Sequence, residues 1–354
     1  MVAAMFDLTL ARSVLRPSER VAAPGGPVLP RGGKTAVVQP LPGIGDMIWH
    51  LPHIRAIAAA VGAPVTLVTK RGSAADQIFA AEPSVRRVLW LRGGTKGSLG
   101  PFALVADLRA EAFDTVVLLH HSHTLAMAAA LAGIPARFGY GFGAQRLWLN
   151  RPPFLPASAL PLHPYGQASA WLEAAGIVPA DAEPVLPVPP EAAAAVAARL
   201  GGGPPPVAIG IGSSEPVKQW GAARFATLIG LLRAAGWPRC VLVGGAAEAG
   251  LAEEIVQRAA SPSPELAPEL AIGWPLPEVA ALLARSAFYV GNDTGVANIA
   301  ASVGARSFVL FGATPPFDHS SRIVPIVPAS GVDRVHGMTR IAPEDAMRVI
   351  QASG

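Results

Sequence analysis

Cysteine is almost absent from this 354-residue chain: Cys240 is the single one. That excludes an intramolecular disulfide framework and any zinc site built from several thiolates. Charge is scarce as well. Asp, Glu, Lys and Arg make up 15% of the residues, against about 25% in an average globular protein. Hydrophobic residues reach 51% and mean hydropathy is +0.40, so a disordered chain is excluded. No run of five basic residues occurs and the net charge is +4, which gives no nucleic-acid footprint. A modest positive balance suits a phosphate-bearing ligand or an anionic membrane surface.

Several motifs are also missing. There is no GxGxxG, GxxxxGK[ST], HExxH or serine elbow, which argues against a dehydrogenase, a P-loop ATPase, a zinc protease and an α/β-hydrolase. Nor is there an Asp-x-Asp pair to hold a phosphate-bound metal. The longest stretch without Asp, Glu, Lys or Arg runs from Thr115 to Ala136, but it contains His120, His121, His123, Gly133 and Pro135. It reads as a buried strand, a polar turn and a buried helix rather than as a membrane span. Residues 1–33 have no basic cluster followed by a long apolar run and a cleavage site, so they are not read as a signal peptide. Two readings of them stand: a loosely ordered tail, or a short helix lying on a membrane surface.

Glycine (37) and proline (36) are abundant and punctuate an alternation of short β-branched runs with longer alanine-rich segments. Expected strands are Thr35–Gln39, Pro64–Thr69, Val85–Leu89, Thr115–Leu119, Val207–Ile211, Arg239–Val243, Phe288–Val290 and Ser307–Phe311. Helical spacing covers His53–Val61, Phe225–Ala235, Leu251–Ala259, Leu276–Ser286 and Gly295–Val303. Strand and helix alternating this often imply an α/β protein with parallel sheets covered on both faces. One proline-rich interruption, Ala182–Pro206, marks a boundary. The expected organisation is therefore a tail (1–33), a first Rossmann-like domain (34–183), a linker (184–206), a second Rossmann-like domain (207–338) and a C-terminal helix (339–354). A ligand cleft is expected at the carboxyl ends of the strands.

Three glycine-rich turns at strand ends carry polar residues. In Gly43-Ile44-Gly45-Asp46, the carboxylate of Asp46 is placed either to accept a proton from a hydroxyl nucleophile or to cap the next helix. In Ser213-Ser214-Glu215-Pro216-Val217-Lys218, hydroxyls, backbone amides and a lysine at a helix entrance suit a diphosphate; alternatively Lys218 is a solvated surface residue. In Gly291-Asn292-Asp293-Thr294-Gly295, a helix start could meet phosphate, or the polar residues merely form a capped turn. The triplet His120, His121 and His123 at a strand end reads as acceptor contacts or a plain loop. A metal site is disfavoured, since adjacent residues point apart and no carboxylates join them.

The segment Leu283–Gly295, running on to Ala300-Ala301-Ser302-Val303-Gly304 and Leu310-Phe311-Gly312, closely resembles glycosyltransferase family nine, the heptosyltransferases. Gly43-Ile44-Gly45-Asp46 with Leu51-Pro52, Lys218-Gln219-Trp220 before Arg224-Phe225, and Gly244-Gly245 with Glu248 resemble further family motifs in the same order. The likeness extends from about Lys34 to Ile350. It implies a GT-B fold, two Rossmann-like domains facing a cleft. It also implies inverting, metal-independent transfer from a nucleotide sugar, typically ADP-heptose, with no further cofactor. The acceptor would be lipopolysaccharide core or another surface glycan, at the cytoplasmic side and peripheral to the inner membrane. On this resemblance Asp46 is the general base. Ser213, Ser214, Lys218, Glu248, Asp293, Thr294, Gly295 and Asn298 face the donor, while Gly45, His120 and His123 face the acceptor. Glu248 would bond ribose or base, unless it is a solvated helix carboxylate. The family usually has histidine three residues after the glycine of Asp-Thr-Gly, where this chain has Asn298; a non-heptose donor, or a nucleotide-sugar-binding scaffold without turnover, is the alternative. The resemblance also leads one to expect that the final helix, Pro343–Gln351, crosses back to the first domain.

Overall fold

A computed structural model describes residues 28–91, 100–181, 183–259, 267–316 and 320–353. The question of a tail or helix in the first residues thus falls, up to residue 27, outside the described residues. In the first half, β1 (Thr35–Val38), β2 (Val65–Thr69), β3 (Val85–Trp90), β4 (Thr115–Leu118) and β5 (Ala136–Gly139) form a parallel sheet ordered β3-β2-β1-β4-β5. Helices α1 (Ile44–Trp49), α2 (Leu51–Val61), α3 (Ala75–Ile78), α4 (Gly100–Glu111), α5 (His123–Leu131) and α6 (Pro164–Ala174) connect and cover it. The second half opens with α7 (Pro190–Leu200). Its six-stranded parallel sheet is built from β6 (Val207–Gly210), β7 (Cys240–Gly244), β8 (Glu269–Ile272), β9 (Phe288–Asn292), β10 (Ser307–Leu310) and β11 (Ile323–Ile326), in the order β11-β10-β9-β6-β7-β8. Its helices are α8 (Ala222–Ala234), α9 (Ala249–Arg258), α10 (Leu276–Ala284), α11 (Gly295–Ser302) and α12 (Pro343–Ala352).

The central strands β1, β2, β4, β6, β7, β9 and β10 are buried along their whole length. This is why they read as continuous apolar runs rather than as alternating ones. The strands absent from the sequence expectation, β5, β8 and β11, all lie at sheet edges. Each carries a charge, glycine or proline: Arg137 and Gly139, Glu269, Pro325. Edge strands tolerate these because one side needs no ladder partner.

In each sheet the chain order reverses beside the first strand, between β1 and β4 and between β6 and β9. A crevice opens at the carboxyl ends of the strands at such a reversal. Tight packing beneath the second crevice needs two glycines. The ring of buried Tyr289 crosses Gly210 and Gly291, and a Cβ on either would run into its hydroxyl.

Arg55 of α2 ties the first domain to the linker. Its guanidinium donates to Glu82, Asp181 and the Val185 carbonyl, each at 2.7 Å. Burial works to raise the Glu82 carboxyl, but bonds from Arg55 and Ser84 outweigh it and hold it below its ordinary value. The final helix α12 puts Ala346, Met347 and Ile350 into the second domain's own core beside α8 and β10. These side chains do not make the return to the first domain expected from the sequence; amphipathic α12 already has an apolar face to cover where it lies.

Replacing Gly210 by alanine should lower stability by roughly 1–3 kcal/mol, the usual range for overpacking a dense core. A denaturant midpoint indistinguishable from the parent's would contradict the Tyr289 packing.

Candidate active site

The first wall of the cleft is α1. Leaving β1, the chain passes Pro40-Leu41-Pro42 and starts the helix at Gly43, whose backbone is extended and which offers no side-chain cap. Asp46, at the third helical position, reaches back instead and its carboxylate accepts the Gly43 N–H. The contact is close: a Cβ on Gly43 would sit 2.6 Å from Asp46 Oδ2. Capping and facing the cleft are therefore not alternatives for Asp46; it does both. Burial raises its carboxyl above the ordinary 3.8, while the Gly43 N–H and the nearby His163 pull it back. Beneath α1, His50 is buried with Nδ1 2.7 Å from the Asp46 carbonyl. Nδ1 must carry the proton to donate there, and burial pushes the ring's pKa down to about 4, so His50 is neutral at pH 7.

The opposite wall comes from the second domain, where Lys218, Gln219 and Trp220 divide the work between them. Trp220 enters the core, edge-on to Phe225 at 5.0 Å, with its indole N–H on the Ile341 carbonyl at 2.9 Å. Gln219 bonds the Ile211 carbonyl at 2.9 Å and accepts from Gly221 N and Asn292 Nδ2. Asn292 in turn reaches the carbonyls of Ile211 and Gly212, so the ends of β6 and β9 are fixed to each other. Lys218 is left facing the cleft, its Nζ 2.8 Å from Asp293 Oδ2. The same carboxylate oxygen accepts Thr314 Oγ1 at 2.8 Å.

The walls meet at α1 and α11 through glycines. A Cβ on Gly295 would lie 2.6 Å from Ile44 Cβ, and one on Gly45 would lie 2.7 Å from Asn298 Nδ2. Trp49 donates its indole N–H to Asn298 Oδ1 at 2.9 Å. A cavity of about 390 Å³ results, lined from one side by Gly45, Asp46, Trp49 and His163 and from the other by Ser214, Lys218, Asp293, Thr294, Gly295 and Asn298.

Four expected site residues do not line this cavity. Ser213 closes its own turn, donating to the Glu215 carbonyl at 2.5 Å. Glu248 stands over Gly245 and beside Gly212, at the neighbouring ends of β7 and β6. His120 and His123 sit past β4, where His120 stacks on His121 with ring centroids 4.5 Å apart. Burial, then His121, Lys70 and His50, push the His120 pKa down to about 4. Ser122 caps α5, its Oγ accepting the Leu125 N–H. No group of three His, Cys, Asp or Glu residues that could hold a metal occurs among the described residues. Sequence reasoning missed His163 and left Trp49 without a role. His163 precedes Pro164 at the start of α6, and no motif marks it; only tertiary folding brings it beside Asp46.

The profile of glycosyltransferase family 9 (heptosyltransferase) matches residues 102–327, more than half of the chain. This chain belongs to that family. It is accordingly a glycosyltransferase, with the GT-B architecture of two parallel-sheet domains. Among solved structures it is similar to E. coli ADP-heptose LPS heptosyltransferase II at 22% identity, covering 90% of this chain and 98% of that one, TM-score 0.72. A family 9 glycosyltransferase from Veillonella parvula is 18% identical over 91% of this chain and 97% of that one, TM-score 0.75. E. coli heptosyltransferase WaaC, solved with ADP-2-deoxy-2-fluoro heptose, is 19% identical over 91% of this chain and all of that one, TM-score 0.69. No curated protein sequence matches the chain. Among the described residues no helix is long and apolar enough to cross a membrane.

His50 makes the glycosyltransferase's stability depend on pH. Its folded pKa of about 4 lies below the ordinary 6.5, so the unfolded chain takes up the proton first as pH falls. The neutral ring's contribution is complete above 6.5 and is lost progressively toward 4, by an amount on the order of 2–3 kcal/mol. Melting temperatures at pH 7.5 and 5.0 should show this drop, and His50→Gln should show a smaller one.

Proposed function

We propose that this glycosyltransferase moves a heptose from ADP-heptose to an anionic lipopolysaccharide core or related surface glycan, with inversion and without a metal. The observation that carries the reading is one cavity with a raised-pKa carboxylate on one wall and a lysine beside a helix start on the other. In a single displacement, Asp46 takes the proton of the acceptor hydroxyl as that oxygen attacks the anomeric carbon. The bond from this carbon to the diphosphate breaks on the far side, inverting the centre. Lys218 and the positive end of α11 carry the charge that develops on the departing diphosphate. Asp293, an anion itself, would act by holding Lys218 in place rather than by touching phosphate. Ser214, Thr294 and Gly295 would supply hydroxyl and backbone donors, and Glu248 would meet the nucleoside further along the strand ends. Ser213 would shape the turn.

The donor assignment follows the family and the relatives, whose structures are named for ADP-heptose transfer and for bound ADP-2-deoxy-2-fluoro heptose. On the acceptor side, Lys70 and Arg71 follow β2, and His120, His121 and His123 follow β4, flanking the Asp46 turn; Gly45 completes this edge. That concentration of cations and imidazoles favours an acceptor bearing carboxylate or phosphate. Such a reaction would run at the cytoplasmic side of the inner membrane, with the protein peripheral to it.

Two measurements test the reading. Calorimetric titration without divalent metal should show ADP and ADP-heptose binding in preference to UDP, GDP and UDP-glucose, weakened roughly 10- to 100-fold by Lys218→Ala, the loss of a charge-assisted contact. Preference for UDP or GDP would replace the donor, and no nucleotide binding would favour a scaffold without this site. Turnover should persist in EDTA and fall by about 10²–10⁴ in Asp46→Asn with donor binding retained. Because the base must be ionised, kcat/KM should fall as pH drops through the Asp46 pKa, with a midpoint above 3.8 that vanishes in Asp46→Asn.

A further inference from the structure

The carboxamide of Asn298 faces the cleft, yet both its ends are engaged within the protein. Oδ1 accepts the Trp49 indole N–H at 2.9 Å, and Nδ2 donates to the Thr294 carbonyl at 3.1 Å. The two bonds fix the orientation of the amide, since exchanging its oxygen and nitrogen would set donor against donor and acceptor against acceptor. Trp49 is itself held. It is buried, and its ring meets Tyr165 of α6 edge-on at 6.3 Å. Thr294 directly precedes α11. The chain of contacts therefore runs from α6 through Trp49 of α1 to Asn298 and the first turn of α11, crossing from one domain to the other.

Around this bond the surfaces have been stripped of side chains. Gly45 lies against the Asn298 amide and Gly295 against Ile44, so the two helix starts come together at the spot where Trp49 and Asn298 join. Asp46 sits one residue after Gly45, and Asp293, which holds Lys218, sits two residues before Gly295. Any slip between α1 and α11 would change the spacing between the carboxylate wall and the lysine wall.

We infer that Trp49 and Asn298 form an interdomain latch that sets the register of the two catalytic walls, making both of them positioning residues rather than ligands of the donor. The inference rests on the proposed transfer reaction for its kinetic consequences but not for the latch itself. An uncharged amide suits this position because it can accept from indole and donate to a carbonyl at once, which a carboxylate or an aliphatic side chain cannot do.

The test is a double-mutant cycle with Trp49→Phe, which keeps an aromatic ring and removes the N–H, and Asn298→Ala. Amide hydrogen exchange of α1 and α11 in the ligand-free protein is read first. Both single variants should speed exchange in residues 44–49 and 295–298, and the double variant should do so no more than the stronger single one. With ADP-heptose as substrate, each single variant should lower kcat about tenfold while leaving the ADP dissociation constant within about twofold, and the double variant should again be no worse. Additive effects, unchanged exchange in both singles, or a loss of ADP affinity confined to Asn298→Ala would overturn the latch; the last would make Asn298 a donor ligand. If the parent protein turns over no sugar nucleotide, the transfer reading fails while the exchange cycle still decides the latch. Asn298→Gln, which keeps the amide but displaces it by one methylene, should behave as Asn298→Ala does; if it behaves as the parent, the fixed geometry is refuted.

Discussion

The architecture converges on the contact between α1 and α11. Each helix begins at the carboxyl end of a central strand, where an open parallel sheet leaves its crevice, and each brings a glycine to the meeting point. A methyl group on Gly295 would collide with Ile44, and one on Gly45 with Asn298. The two domains can close to this distance only because those Cβ atoms are missing. Apolar packing continues from this seam into both halves, since one cluster of buried side chains takes in Ile48 and Leu51 of the first domain and Ala297 and Ile299 of the second.

Each wall is prepared separately before the walls meet. On the first, Gly43 gives up its own helix cap and receives one from Asp46, so the carboxylate is held by a backbone bond and desolvated together. On the second, Trp220 anchors the loop in the core, and Gln219 with Asn292 fixes the strand ends. The Lys218–Asp293 bond then sets the cation against the start of α11. Preorganisation of this kind keeps charged groups oriented in a partly desolvated cleft, where their effect on a developing charge is greatest.

Much of the architecture could be read from residue order. Continuous β-branched runs marked the buried central strands because burial on both faces removes the need for alternation. Three of the four edge strands, β5, β8 and β11, were not legible: Arg137, Glu269 and Pro325 are unfavourable in a central ladder and acceptable at an edge, a distinction only tertiary structure makes, whereas the edge strand β3 was read from its own β-branched run. At the site, the turns alone left Asp46 open between cleft and helix cap and Lys218 between cleft and solvated surface; the resemblance to family nine, with its motifs in the same order, is what joined them to the Asp293–Gly295 turn, and all of them line the cavity. His163 and the Trp49–Asn298 bond had no such signal. The bonded pair is 249 residues apart in sequence, and neither spacing nor residue type announces it. Reading Asp46 as either a cleft residue or a helix cap failed in a different way, by treating as exclusive two placements that one carboxylate occupies together, bonded to the Gly43 N–H and lining the cavity.

The most direct test of this geometry is a crystal structure of the protein with ADP-2-deoxy-2-fluoro heptose. The diphosphate should lie between Lys218 and the first turn of α11, with the sugar turned across the cleft toward Asp46 and the α1–α11 seam intact. A diphosphate bound away from Lys218, or a sugar directed away from Asp46, would contradict the proposed arrangement of the two walls.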